Sequence, residues 1–196
     1  MSVPAQTTPE PGLFGVGAQV AALFEGEHQK HAFTHALMLG ASSQGLSPVL
    51  TQALAVGVPS YFSQGRTLLG GFSVMENISM PLAHRKLATA QDITRRTRLL
   101  CDFGGIDRSL LRRNTDDLQA LQRVQACFLQ ATVGEPDLLV LDTVFEGLTP
   151  TDQERVGHLV VGYRRLYPLR RMLYLGYVLP PHHLFRPSSV ITHGQL

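Results

Sequence analysis

The stretch from Val133 to Pro150, VGEPDLLVLDTVFEGLTP, constrains the fold more than any other. Gly134-Glu135-Pro136 is a helix stop followed by a turn. Leu138 to Leu141 is a short apolar run without polar alternation, the pattern of a buried strand in a parallel sheet. It ends in Asp142, which puts a carboxylate at the carboxyl end of a strand. In doubly wound α/β sheets that edge is where ligands bind. The spacing therefore predicts an α/β chain with its chemistry at one sheet edge.

Composition sets the bounds around that strand. With 196 residues, 44% hydrophobic and 16% charged, the chain is long enough for one domain with a real core. Mean hydropathy of +0.04 hints at surface buried on a partner, although composition alone favours a modest core-rich domain. A net charge of +2 implies no strong nucleic-acid field, so no nucleic-acid partner is expected. The arginines cluster as Arg95, Arg96 and Arg98, then Arg112 and Arg113, then Arg164, Arg165, Arg170 and Arg171. Solvated helix faces explain most of them, and a membrane-proximal or partner-facing patch is the sharper alternative. Cys101 and Cys127 sit in apolar helical contexts and read as reduced core residues. No leader and no bilayer-length apolar run is evident, and the simplest compartment is the cytoplasm.

Taken in order, residues 1–12 read as a flexible tail and residues 13–196 as a single domain. Gly17 to Phe24 suits a strand, Glu25-Gly26-Glu27 a hairpin turn, and His31 to Leu39 a second apolar strand. On that reading His28, His31 and His35 are edge-strand histidines rather than metal ligands, so no metal is expected. Gly40 to Ser47 then fits a degenerate phosphate-binding loop, G-x-x-x-x-G-K-[ST], between strand and helix. Gly40, Gly45 and Ser47 are kept, Leu46 stands at the lysine, and Pro48 to Val56 is helix-like with Pro48 in the first turn. Val58 to Gln64 reads as a strand. Asp92 to Phe103, Ile106 to Leu111 and Leu118 to Thr132 read as helices, the last capped by Thr115-Asp116-Asp117. Thr151 to Arg165 is a further helix, Arg170 to Tyr177 a strand, Pro180 to Arg186 a loop carrying His182 and His183, and Ser188 to Leu196 a late strand.

Several of these strings together resemble the ATP-binding cassette (ABC) ATPases. Asp142 stands at the Walker B aspartate, Thr143 at the catalytic glutamate, Val144 at the following proline, and Gly147-Leu148-Thr149-Pro150 at the Gly-Leu-Asp-Pro turn. Gln64 matches the Q-loop glutamine, and Val74 to Leu82 matches a V-x-E-N-x-x-x-P-L string. That string is closest to the branches serving lipid (Mla/Mce-type), lipoprotein-release and cell-division complexes. Tyr177 stands at the switch histidine, and Leu118 to Gln122 at the LSGGQ signature.

The resemblance implies a truncated P-loop NTPase-like fold, the ABC nucleotide-binding domain, with a helical subdomain at about 74–132. Gln64 follows Ser47 by only 17 positions, which implies a shortened or open sheet with the loop's helix joined almost directly to the Q-loop strand. It further implies a catalytically degenerate subunit of a membrane transporter, of lipid type, peripheral on the inner face of the membrane. Such a subunit docks a permease through Leu68, Leu69, Phe72 and Met75, and pairs with an intact ATPase or a second copy of itself. Losing the water-orienting carboxylate at Thr143 alone costs about 10² to 10⁴ in rate. No catalytic residue is expected. Weak ATP and Mg²⁺ binding through Asp142, Ser47 and Gln64 stays open. The alternatives are a low-activity ATPase completed in trans and a free-standing regulatory binding protein.

Overall fold

A computed structural model of the chain describes residues 12–39, 48–57, 59–63 and 68–192. Gly40, Gly45, Leu46, Ser47 and Gln64, five of the residues assigned above to the degenerate site, lie outside the described residues. The central strand is the expected one. Strand β3 (Leu138–Asp142) carries four fully buried residues before its terminal aspartate. It lies between β2 (Pro59–Ser63) and β4 (Arg171–Gly176), and β4 is followed across the sheet by β1 (Gln19–Leu23) and β5 (Ser189–Ile191). All four pairings are parallel, giving the order β2-β3-β4-β1-β5. The carboxyl ends of β1, β2, β3 and β4 therefore share one edge, where Leu23, Ser63, Asp142 and Gly176 sit.

Successive strand residues face opposite sides, and two cores follow from that. Ala21, Phe62, Leu139, Leu141, Met172 and Tyr174 face one side. They pack there against α3 (Val74–His84), α4 (Ala90–Gly104), α5 (Ala120–Thr132) and α6 (Pro150–Leu166). Val20, Ala22, Leu138, Val140, Leu173 and Leu175 face the other side, against α1 (Glu27–Leu39) and α2 (Pro48–Val56). The first core is tied by an aromatic chain: Phe128 meets Phe62 edge-on at 5.4 Å and Tyr163 at 6.4 Å. Helices α4 and α6 cross closely because Gly162 has no side chain, so the Phe103 carbonyl occupies the space a Cβ would need.

Four expectations are corrected. His31 to Leu39 is not a strand but the body of helix α1. Its buried residues Lys30, Phe33 and Leu37 recur at helical spacing, a period masked by the apolar run at its end. His28, His31 and His35 are consequently helix residues, with His31 and His35 exposed and stacked at 6.1 Å. Glu25-Gly26-Glu27 is not a hairpin turn, since it leads from β1 into α1 and β1 pairs in parallel with β4 and β5. Thr115-Asp116-Asp117 is a short 3₁₀ turn and not the cap of α5, whose N-cap is Gln119; the short link expected before β2 holds, because α2 ends at Val56 and β2 begins at Pro59. Ile106 to Leu111 is a 3₁₀ turn over Arg108–Arg112 rather than an α-helix.

The turn before β3 also differs in detail. Glu135, not Gly134, takes the left-handed backbone, at φ 52°. Its carboxylate is held there by Arg96 at 3.1 Å and by the Tyr167 hydroxyl at 3.1 Å. A Cβ at Gly134 would stand 3.3 Å from Leu82 Cδ2, a close contact that the leucine would have to ease.

Candidate functional site

The carboxyl edge of the sheet gathers charge around Asp142. Strand β1 ends at Leu23, and the chain turns through Phe24-Glu25-Gly26 into α1. One turn into that helix, the Lys30 ammonium donates to Asp142 Oδ1 at 2.8 Å, with both side chains largely buried. The Glu27 carboxylate lies 3.8 Å from the same ammonium, and the Tyr177 ring lies below it at 5.8 Å. The Tyr177 hydroxyl donates to Glu27, and the Tyr177 amide donates to Glu146 Oε1 at 2.6 Å. Tyr174 donates its hydroxyl to the same Glu146 oxygen at 3.2 Å. Burial first, then the bond to Glu27 and the charges of Glu27, Glu146 and Asp142, push the Tyr177 hydroxyl well above the ordinary tyrosine range. Tyr61 on β2 is raised as well, by burial and by the Asp142 charge.

Asp142, Thr143 and Tyr177 thus converge at one edge. Thr143 leaves β3 in a left-handed conformation, φ 50°, with its amide donating to the Leu175 carbonyl at 2.8 Å. For a β-branched residue that conformation costs about 1–2 kcal/mol. Its hydroxyl lies 3.4 Å from Asp142 Oδ1, so a neutral hydroxyl stands where the resemblance places a water-orienting carboxylate.

Among the described residues the cation at this edge is Lys30; Leu46, read above at the loop lysine, lies outside them. A phosphate-binding loop joins a strand to a helix, with lysine in the helix's first turn. The element before Gly40 is a helix, whereas β1 and α1 supply the required strand-turn-helix and bring a lysine to Asp142. Sequence reasoning missed Lys30 because Phe24 and Gln29 stand at the two pattern glycines and His31 at the serine or threonine. Its only signal is the order of apolar strand, Gly26 and Lys30.

The two family-like strings have local reasons of their own. Gly147 takes φ 69°, Thr149 caps α6 through the Asp152 amide at 3.2 Å, and Pro150 sits in the first turn. Ser73 and Glu76 form a capping box that starts α3. The Asn77 side chain stitches Leu69 in place, accepting from its amide at 2.7 Å and donating to its carbonyl at 3.1 Å. Val74 and Ile78 are core. Among the four apolar residues assigned to docking, Leu68 is buried at 5% exposure and Met75 packs partly on the core, which removes Leu68 from any surface. Leu69 at 51% and Phe72 at 41% remain outward.

Leu118 to Gln122 lies at the start of α5, whose N-cap is Gln119, and the Gln122 side chain accepts from the Gln119 amide at 3.1 Å. Among the described residues no three His, Cys, Asp or Glu side chains converge as a metal site. Among them, too, no helix is long and apolar enough to cross a membrane.

No family model matches the chain, and no curated protein matches it. Solved structures do. One is a dimeric bacterial ABC transporter cassette, MJ0796, at a TM-score of 0.63 and 12% identity, over 91% of this chain and 82% of that one. The same cassette in a post-hydrolysis state bound to ADP and Pi gives 0.64 and 12%, over 91% and 82%. The third, cbiO1 from Clostridium perfringens, is part of the ABC transporter complex cbiONQ. It gives 0.59 and 18%, over 82% of this chain and 68% of that one. At these identities the likeness is one of fold: this chain has the architecture of an ABC nucleotide-binding domain.

Proposed function

We propose that the chain is a non-hydrolysing cassette subunit of a membrane transporter, docked on a permease and paired with an intact ATPase or a second copy of itself. The observation that carries the first half is the Lys30–Asp142 contact at 2.8 Å, with Glu27 and Tyr177 closed around it and no carboxylate at Thr143. ATP with Mg²⁺ does not fit that arrangement. The carboxylate that would serve the metal is held by Lys30, and the exposed Glu27 carboxylate lies 3.8 Å from the same ammonium. A triphosphate brought there meets like charge where stabilising donors are needed. The expected result is no Mg²⁺-dependent phosphate release from the purified chain. Release that disappears in Asp142→Asn overturns the reading and favours the second one, a low-activity ATPase completed in trans, whose support is the retained Lys30.

The permease half rests on Leu69 and Phe72, which the capping and stitching of α3 leave outward and unexplained. Capping accounts for the rest of the V-x-E-N string, so no cargo is proposed from it. Interface energy concentrates in a few apolar anchors. Phe72→Asp is expected to abolish co-purification with the permease while leaving the melting temperature of the isolated chain unchanged. Co-purification that survives with the fold intact removes this surface from the account.

A further inference from the structure

The opposite edge of the sheet carries a second concentration of charge, of the other sign. A hollow of about 420 Å³ lies where β1 and β4 begin, between the end of α6 and the loop before β5. That is within the size range of small-molecule sites. Arg164 and Arg165 enter it from α6, Arg186 from the loop, and His183 stands at its rim. No carboxylate lines it. His183 has its own acid, Glu154, at 2.6 Å, but none of the three arginines forms an ion pair among the described residues. The floor is apolar, built from Val160, Met172 and Phe185.

The last turn of a helix favours cations, which accounts for Arg164 and Arg165 but not for Arg186 or for the concavity. Arg164 is also held in place. With the Gln19 amide turned so that Oε1 faces it, the buried Gln19 accepts from Arg164 Nε at 2.8 Å. A buried neutral amide thus orients one guanidinium at the mouth of an apolar hollow without neutralising it.

Guanidinium groups match phosphate oxygens in pairs, and the floor suits a hydrocarbon. We infer that this hollow binds a phosphate monoester carrying an apolar group. The site is independent of the Asp142 edge: Gln19 begins β1 and Met172 is the second residue of β4, whereas Leu23 and Gly176 end those strands, about 13 Å away.

The test is calorimetric titration of the full chain with octyl phosphate below its micelle concentration, beside inorganic phosphate and octyl glucoside. Octyl phosphate is expected to bind, more tightly than inorganic phosphate, and octyl glucoside is expected not to bind. Arg165→Gln/Arg186→Gln is expected to weaken octyl phosphate by about tenfold or more with an unchanged melting temperature. If the double variant fails to fold, each single variant is expected to weaken binding on its own. Vesicles of phosphatidylcholine with and without phosphatidic acid separate two sources. Phosphatidic-acid-dependent binding that the variant loses identifies a membrane headgroup, whereas octyl phosphate binding without vesicle binding identifies a soluble ester. No heat with octyl phosphate at about 5 mM, binding equal to that of inorganic phosphate, or binding unchanged in the folded variants overturns the proposal.

Discussion

Replacing Lys30 with methionine keeps the length of the side chain and removes its charge. Asp142 is then left with the Thr143 hydroxyl at 3.4 Å in place of the ammonium at 2.8 Å, at a position where both partners of the pair are largely buried. Removing one member of a buried pair costs about 3–5 kcal/mol, because the remaining charge loses its compensation. In a domain of this size each kcal/mol moves the melting temperature by about 2–4 °C, so a fall of roughly 6–20 °C is expected by calorimetry at neutral pH.

Lys30→Met/Asp142→Leu, which removes both charges, is expected to recover most of the loss. A melting temperature for Lys30→Met within about 2 °C of the parent, or a double variant no better than the single one, refutes the argument that the pair is a structural unit.

Gly162→Val puts a branched side chain against the Phe103 carbonyl where α6 crosses α4. It is expected to cost more than the ordinary 1–3 kcal/mol of overpacking, read as lost soluble yield or a collapsed thermal transition. Thr143→Asn relieves a β-branched residue at φ 50°. Asparagine tolerates that region better, so the variant is expected to melt about 1–3 °C higher, and a lower melting temperature means the Thr143 contacts outweigh the strain. Burial pushes the Cys101 thiol up to about 11. A thiol reagent at pH 8 is therefore expected to label it only as fast as the chain unfolds.

The strands with continuous apolar runs were legible, and β3, β4 and the edge at Asp142 fall where the sequence places them. The bodies of α4, α5 and α6 were legible to within a few residues, but their caps were not: Thr89 and Thr149 cap α4 and α6, and Gln119 rather than Thr115-Asp116-Asp117 caps α5. The first forty residues were not. In α1 only Lys30, Phe33 and Leu37 are buried, and a lysine counts against an apolar face unless its partner is known. That partner, Asp142, lies 112 residues further along the chain. Without it the four apolar residues Ala36 to Leu39 outweigh the helical period, and the segment reads as a strand. Leu68 was misplaced for a related reason, since nothing local separates it from exposed Leu69. The difference is set by Asn77, which fixes the Leu69 backbone from the next helix.

The claim at the centre is that the edge around Asp142 is closed on its own side chains. Titrating the full chain with ATP and Mg²⁺ by calorimetry tests it most directly. The account predicts no saturable heat up to about 1 mM nucleotide, a limit near −4 kcal/mol. A micromolar dissociation constant, about −8 kcal/mol, with saturable binding that Lys30→Met abolishes, contradicts it, because Lys30 would then be serving phosphate rather than Asp142.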